Sequence, residues 1–281
     1  MAGADLSRIN TNVAALNALK ALRDINSKLS IHQLRLATGK RINSAGDDPA
    51  GMVFAKRLES RSRGLSVARD NIGDAQNLMA TAEGGMQNIS EILLVMKEKI
   101  LQAANDTLGT TERTAVESQL DDLASEIDNI VSTTTWGGNT LLDGTFTGKI
   151  FQVGEGATDT LSFGITQNHG ASGLSVADAD LAVDTAANAS SALSGVNTAI
   201  TTVNTSLQTI GSTQLRVGIK EANISVTINN QLAAHSRIMN ADMAQESVEM
   251  MKYTLLQQSA NAMLSQANVQ PQSVLQLIMG R

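Results

Sequence analysis

From Leu65 onward, apolar residues return at alternating intervals of three and four: Leu65, Ala68, Ile72, Ala75, Met79, Ala82, Met86, Ile89, Leu93, Met96, Ile100 and Ala103. No polar residue interrupts the series. An apolar period of 3.5 held this long predicts one helix with a single seam turned toward a partner helix. Gly84 and Gly85 fall inside it, each costing about 1 kcal/mol in helix propensity, which a close backbone approach or a kink would explain. The stretch from Asn105 to Thr111 breaks the pattern. A shorter helix follows, with Val116, Leu120, Leu123, Ile127 and Ile130 in the same stepping.

A matching series runs near the other end: Leu193, Val196, Ile200, Val203, Leu207, Ile210, Gln214, Val217, Glu221, Ile224, Ile228, Gln231, His235 and Ile238. Its few polar members weaken association and fix register, as an occasional polar residue does in a coiled coil. Beyond it, Ala244, Val248, Met251 and Leu255 make a stripe that drifts to Leu256, Ala260, Met263 and Ala267. The extreme ends are apolar but less regular. Leu6, Ile9, Val13 and Leu16 lead into Leu22, Ile25 and Leu29; at the other end Val269 precedes Pro271, placed to open a last helix with Val274, Leu275, Leu277 and Ile278. Neither end has an evident mate in the sequence, and short helices are marginal alone in water. Both are therefore expected to be disordered in a free monomer and to order against partners.

The middle reads differently. Gly137, Gly138, Asn139, Asp143, Gly144 and Gly148 punctuate it, Phe151 and Val153 alternate before a polar GEGATD turn, and Leu161, Phe163 and Ile165 alternate after it. This predicts a small β-hairpin with Gly-, Ser-, Thr- and Asn-rich loops. The expected fold is mainly α: a long antiparallel helical coiled-coil rod with a small β-hairpin region. Five segments follow: residues 1–40, 41–135, 136–190 with hairpin and surface-exposed loops, 191–238, and 239–281.

Composition narrows the chemistry. Hydrophobic residues make up 42% of the 281 residues and aromatics only 2%, so the apolar surface comes from aliphatic side chains and eleven Met, which suit narrow helix seams. The absence of cysteine removes disulfides, thiol nucleophiles and Cys-ligated metals. Residues 1–70 carry twelve Lys/Arg against six Asp/Glu, while the remainder carry nine against twenty-one. The basic residues are spaced singly along helices with no aromatic platform, so nucleic acid is not an expected partner. No run of 18 apolar residues exists to span a membrane. The first residues lack the apolar centre of a secretory signal, which sets the expectation of export without a cleaved leader. His32, His169 and His235 are far apart and have no acidic partner at metal-ligand spacing, so no metal or other cofactor is expected. Asp47-Asp48 and Asp121-Asp122 are adjacent and diverge on a helix. Asp48 before Pro49 reads as a helix N-cap. No catalytic constellation emerges, and an enzyme is not expected.

The segment LATGKRINSAGDDPAGMVFAKRLESRSRGL (Leu36 to Leu65) resembles the N-terminal signature of bacterial flagellins, as does DAQNLMATAEGGMQNISEIL (Asp74 to Leu93). SRIMNADMAQESVEMMKYTLLQQSANAMLSQANVQPQSVLQLI (Ser236 to Ile278) resembles their C-terminal signature. The resemblance implies a filament subunit that polymerises with itself, assisted by an export chaperone, the flagellar secretion apparatus, a filament cap and hook-junction proteins, and located outside the cell. It implies terminal segments that pair as a coiled coil along the filament channel, with Leu6, Ile9, Val13, Leu16, Val269, Val274, Leu275, Leu277 and Ile278 as assembly residues. It also implies long helices that pack Leu65 to Ala103 against Leu193 to Ile238, and loops near 140–190 that face outward.

Hook-filament junction proteins share parts of these termini and are the nearest alternative; a non-flagellar coiled-coil scaffold would normally add a membrane segment or sensor domain. In flagellins recognised by an innate immune receptor, the segment matching Val95 to Gln102 usually carries Arg at Val95 and Leu at Lys99, while Glu98 and Gln102 agree. Loss of a forked donor and replacement of an apolar contact by a charge predict weak recognition. For assembly, acidic residues such as Glu91, Glu98, Asp121 and Asp122 are expected to meet Arg57, Arg61 or Arg63 of a neighbouring copy.

Overall fold

The computed structural model describes residues 12–279, with side chains described for residues 12–269. Five α-helices lie among them: α1 (Val13–Thr38), α2 (Pro49–Ala103), α3 (Thr110–Thr133), α4 (Ala186–Met239) and α5 (Met243–Met279). Between α3 and α4 come two antiparallel hairpins, β1 (Thr135–Trp136) with β2 (Asn139–Thr140) and β3 (Lys149–Gln152) with β4 (Thr160–Phe163), then a 3-10 turn at Asp178–Asp180. The chain divides into two compact units: a terminal unit from the segments up to Ser60 and from Gln231 onward, and a central unit, Arg61–Asn230.

In the central unit the heptad prediction for α2 is met at every position. All twelve seam residues are buried, and from Ile72 to Ala103 the seam positions expose no surface at all. Across from them, Val196, Val203, Ile210, Val217, Ile224 and Ile228 of α4 are buried, with Ile200 and Leu207 partly buried against the same core. Val116, Leu120 and Ile127 of α3 join it, together with Ala124 and Val131.

Two polar pairs fix how α2 and α4 align. The Gln76 amide donates to Glu221 Oε2 at 3.0 Å, and the Gln214 amide donates to Glu83 Oε2 at 2.9 Å. Moving seven residues forward on α2 moves the partner seven residues back on α4, so the helices are antiparallel and the pairs stand one heptad apart. A slip in register would break both cross-helix bonds and leave the half-buried Glu221 without this donor, while Glu83 would keep only Gln87 of its own helix, at 3.2 Å. Gly85 has a packing reason as well. A Cβ there would lie 2.7 Å from Thr134 Oγ1 and 2.9 Å from Leu142 Cδ1, whereas Gly84 has nothing within 4 Å. α2 continues unbroken through both, so the glycine at 85 serves close approach of the chain leaving α3.

The β3–β4 hairpin forms over the predicted alternation, with Phe151 paired to Leu161 and Lys149 to Phe163. Leu161 and Phe163 point inward, and the Gln152 side-chain amide closes the loop by donating to Gly154 O and Gly156 O at 2.8 and 2.6 Å. The β1–β2 hairpin went unread in the sequence. Gly137 and Gly138 take φ of +56° and +83° between Trp136 and Asn139, the left-handed pair a two-residue hairpin turn demands.

The expectation of surface-exposed loops over 136–190 fails for much of that segment. Leu141, Leu142, Phe146, Leu174, Val176, Leu181 and Val183 are buried in the central core, and His169 is completely enclosed. Their apolar side chains have no strand or helix period, so the pattern gave no sign of them. His169 donates its backbone N–H to Leu142 O at 2.8 Å, and its Nε2 lies 2.9 Å from Ser206 Oγ of α4. Burial holds its pKa below the ordinary histidine value.

In the terminal unit, Asp48 caps α2 as predicted, accepting from Gly51 N at 2.9 Å. The connection before α2 and the one after α4 are laced together. Arg41 N donates to Met239 O at 2.6 Å, Ala241 N to Gly39 O at 3.0 Å, and the Arg41 guanidinium reaches Ile238 O at 3.0 and 3.2 Å. Ile42, Ala55 and Met239 form a small core beneath them. Asp47 accepts from the backbone N–H groups of Ser44 and Asn43, which hold its carboxyl below the usual range.

Candidate assembly interface

α1 and α5 lie against each other in antiparallel order. Asn12 caps α1 by accepting from Ala15 N at 3.0 Å and donates across to Ala267 O at 2.7 Å; Gln257 donates to Asn26 at 2.7 Å. Nearer the loops, Glu246 takes His32 Nδ1 at 2.5 Å on one oxygen and Arg35 Nη1 at 3.2 Å on the other, while the His32 ring stacks on Tyr253 at 5.2 Å. The reading that neither end has a mate within the chain is thus corrected over these residues: each end pairs with the other. The partners are more than 200 residues apart, and nothing local announced them. Neither His32 nor Tyr253 belongs to an apolar period, so the sequence reading missed the cluster.

The pairing is narrow. Leu29 and Ala260 are buried in it, but Val13 and Leu16 of α1 and Val269 of α5 remain exposed. On α5 the predicted stripe faces solvent: Val248 is 60%, Met251 56% and Leu255 66% exposed. Leu256 and Met263 are exposed on other sides of the same helix. α5 therefore carries apolar side chains on faces that α1 leaves uncovered, interspersed with exposed polar residues such as Lys252, Gln258 and Asn261. An alanine-walled groove of about 300 Å³ runs between them, lined by Ala14, Ala18, Ala21, Ala260 and Ala267 with Met263. Leu6 and Ile9 lie outside the described residues, as do the side chains of Val274, Leu275, Leu277 and Ile278. Pro271 does not open a separate helix; α5 runs through it to Met279.

In the central unit, Val95, Glu98 and Gln102 sit exposed on one face of α2 with Lys99 partly covered beside them, opposite the buried seam. Arg61, expected to serve a neighbouring copy, is ion-paired with Glu155 of its own chain. Asp121 is partly buried and faces a like charge: burial first and the Asp178 carboxylate second raise its pKa. Among the described residues no three His, Asp or Glu side chains converge as metal ligands, and no helix is long and apolar enough to cross a membrane.

Comparison with known proteins agrees with this architecture. Residues 9–147 match the bacterial flagellin N-terminal helical region and residues 193–278 the bacterial flagellin C-terminal helical region. The chain is 35% identical to flagellin of Bacillus subtilis and 33% identical to flagellin of Halalkalibacterium halodurans, in each case over 96% of this chain and 99% of the relative. A Vibrio parahaemolyticus structure, described as that of a candidate flagellar hook-associated protein, shares the fold, with TM-score 0.58 and 18% identity over 69% of this chain and 99% of that one. Identity at this level over near-complete lengths, with both conserved helical regions in order, leaves one conclusion: the chain belongs to the bacterial flagellins, the structural subunits that polymerise into the flagellar filament.

Proposed function

We propose that polymerisation of this flagellin is driven by completion of the α1–α5 pair with copies of itself. The observation that carries the reading is the exposed apolar stripe of α5, Val248, Met251 and Leu255. A contiguous apolar stripe left open to solvent marks a surface that a partner covers, and within one chain α1 shields a different side of α5. Segments 1–40 and 239–281 are the assembly segments that line the filament channel, marginal in the free monomer and ordered by neighbours, with Leu6, Ile9, Val274, Leu275, Leu277 and Ile278 as further contacts. The exposed positions of segment 136–190, not its buried ones, face outward. A patch that binds a different patch on the next copy, without closing, generates a helical polymer.

Charge supports a directed contact. The terminal unit carries twelve Lys/Arg against eight Asp/Glu, the central unit nine against nineteen. With Arg61 satisfied internally, Glu91, Glu98 and Asp122 of one copy are the acids to meet Arg57 of another. Raised salt then weakens polymerisation, and a salt-independent critical concentration rejects this part. Export through the flagellar secretion channel with a chaperone, folding under a cap and attachment to hook-junction proteins complete the reading.

The test is electron microscopy of purified protein after seeding. The full chain gives long helical filaments, while chains lacking residues 1–30 or 270–281 remain soluble and unpolymerised. Robust filaments from either truncation refute the role given to the ends.

A further inference from the structure

Methionine is the sole sulfur-bearing residue type in this chain, which has eleven Met and no Cys. Among the described residues their burial runs from complete to largely open. Met79, Met86 and Met96 of the central seam expose nothing. Met251 lies in the middle of the exposed α5 stripe, more than half open to solvent, and Met243 and Met263 are exposed on the same helix. We propose that Met251 is an oxidation site through which peroxide blocks assembly of the free subunit, while the seam methionines and the finished filament are spared.

The chemistry needs one oxidant, hydrogen peroxide. A lone pair on the thioether sulfur attacks one peroxide oxygen, the O–O bond breaks, a sulfur–oxygen bond forms, and the second oxygen leaves as water. The sulfur loses two electrons to the peroxide. The product is a sulfoxide, polar and chiral where an apolar side chain stood. Between Val248 and Leu255 the change matters, because a contact that excludes water there would bury the new oxygen without a partner. Susceptibility follows exposure. The buried seam is protected by packing and α5 in a filament by its neighbours, so the vulnerable interval is that of the unassembled subunit. With no thiol in the chain to consume the oxidant first, the open thioethers are its foremost targets.

This inference rests on the assembly reading above. Full-length monomer is treated with hydrogen peroxide, sulfoxide at each Met is quantified by peptide mass spectrometry, and seeded polymerisation is measured before and after repair with methionine sulfoxide reductase. Met251 should oxidise at least about tenfold faster than Met79, Met86 or Met96. The critical concentration should rise about tenfold, and the reductase should reverse it. In Met251→Leu the ratio of treated to untreated critical concentration, read within that variant, should fall toward one. Met251 oxidising no faster than the seam methionines, an unchanged critical concentration after its oxidation, or an undiminished ratio in Met251→Leu each overturns the proposal. The parallel variants Val248→Gln and Leu255→Gln separate the two readings. If they polymerise like wild type, the stripe is not an interface and the assembly reading itself fails. If they are impaired while oxidised Met251 is harmless, only the oxidation proposal falls.

Discussion

Replacing Val248 and Leu255 by Gln tests the central claim at the point where it is most exposed. Gln has nearly the helix propensity of Leu, and both positions are open to solvent in the single chain. The isolated monomer should therefore shift by no more than about 0.5 kcal/mol per site. Full burial of a Val or Leu side chain is worth about 1.5–3 kcal/mol. With 60% and 66% of these residues uncovered, roughly 1–2 kcal/mol at each site remains to be gained in the filament. The double variant then loses about 2–4 kcal/mol of association free energy, a rise in critical concentration between about thirtyfold and several hundredfold. Sedimentation of seeded reactions over a concentration series reads that shift directly, and thermal unfolding followed by circular dichroism shows whether the monomer is intact. A critical concentration within about twofold of wild type, with an unchanged melting curve, would mean the stripe stays solvated in the polymer.

The other expectations concern different parts of the molecule. Leu93→Ala, at a fully buried seam position, should destabilise the central unit by about 2–5 kcal/mol in denaturant unfolding; a loss under about 1 kcal/mol would show that the seam can collapse around the gap. The pairs Gln76–Glu221 and Gln214–Glu83 should each give a coupling of about 1 kcal/mol in a double-mutant cycle, and additivity in both would deny them a part in setting register. Because burial lowers the His169 pKa, the unfolded chain binds a proton that the folded chain refuses between the depressed value and the ordinary one near 6.5. The stability His169 contributes is thus complete above that ordinary value and is lost progressively as pH falls from it toward the depressed one, so melting curves at pH 7.5 and 5 should lie closer together in His169→Asn than in wild type. In a cell reporter for the innate receptor, purified monomer should be a weak agonist, and Val95→Arg with Lys99→Leu should strengthen it; a potent response from the unaltered chain would refute the reading of this face.

The heptad run from Leu65 to Ala103 and its counterpart on α4 could be read residue by residue because a seam buried along its whole length imposes one period on everything that faces it. The same logic found α3, the Asp48 cap and the alternation in β4, all of which depend on neighbours a few positions away. Even Gln214 and Glu221 could be singled out as register-setting intruders, although their partners Glu83 and Gln76 could not be named. The flagellin signatures at both ends gave the family for a similar reason, since they are contiguous strings of residues.

What the sequence could not supply depends on residues brought together from far apart. The buried loop positions from Leu141 to Val183 follow no regular geometry, so their apolar side chains look like those of any exposed connection until α2 and α4 close over them. The Gly137-Gly138 turn joins strands of two residues each, too short for a period. The His32–Glu246–Arg35 cluster joins α1 to α5 across more than 200 residues, which turned two ends that seemed partnerless into a pair. Only the folded chain could show which side of α5 that pair leaves uncovered, because an apolar residue looks the same in the sequence whether its partner is its own chain or the next one.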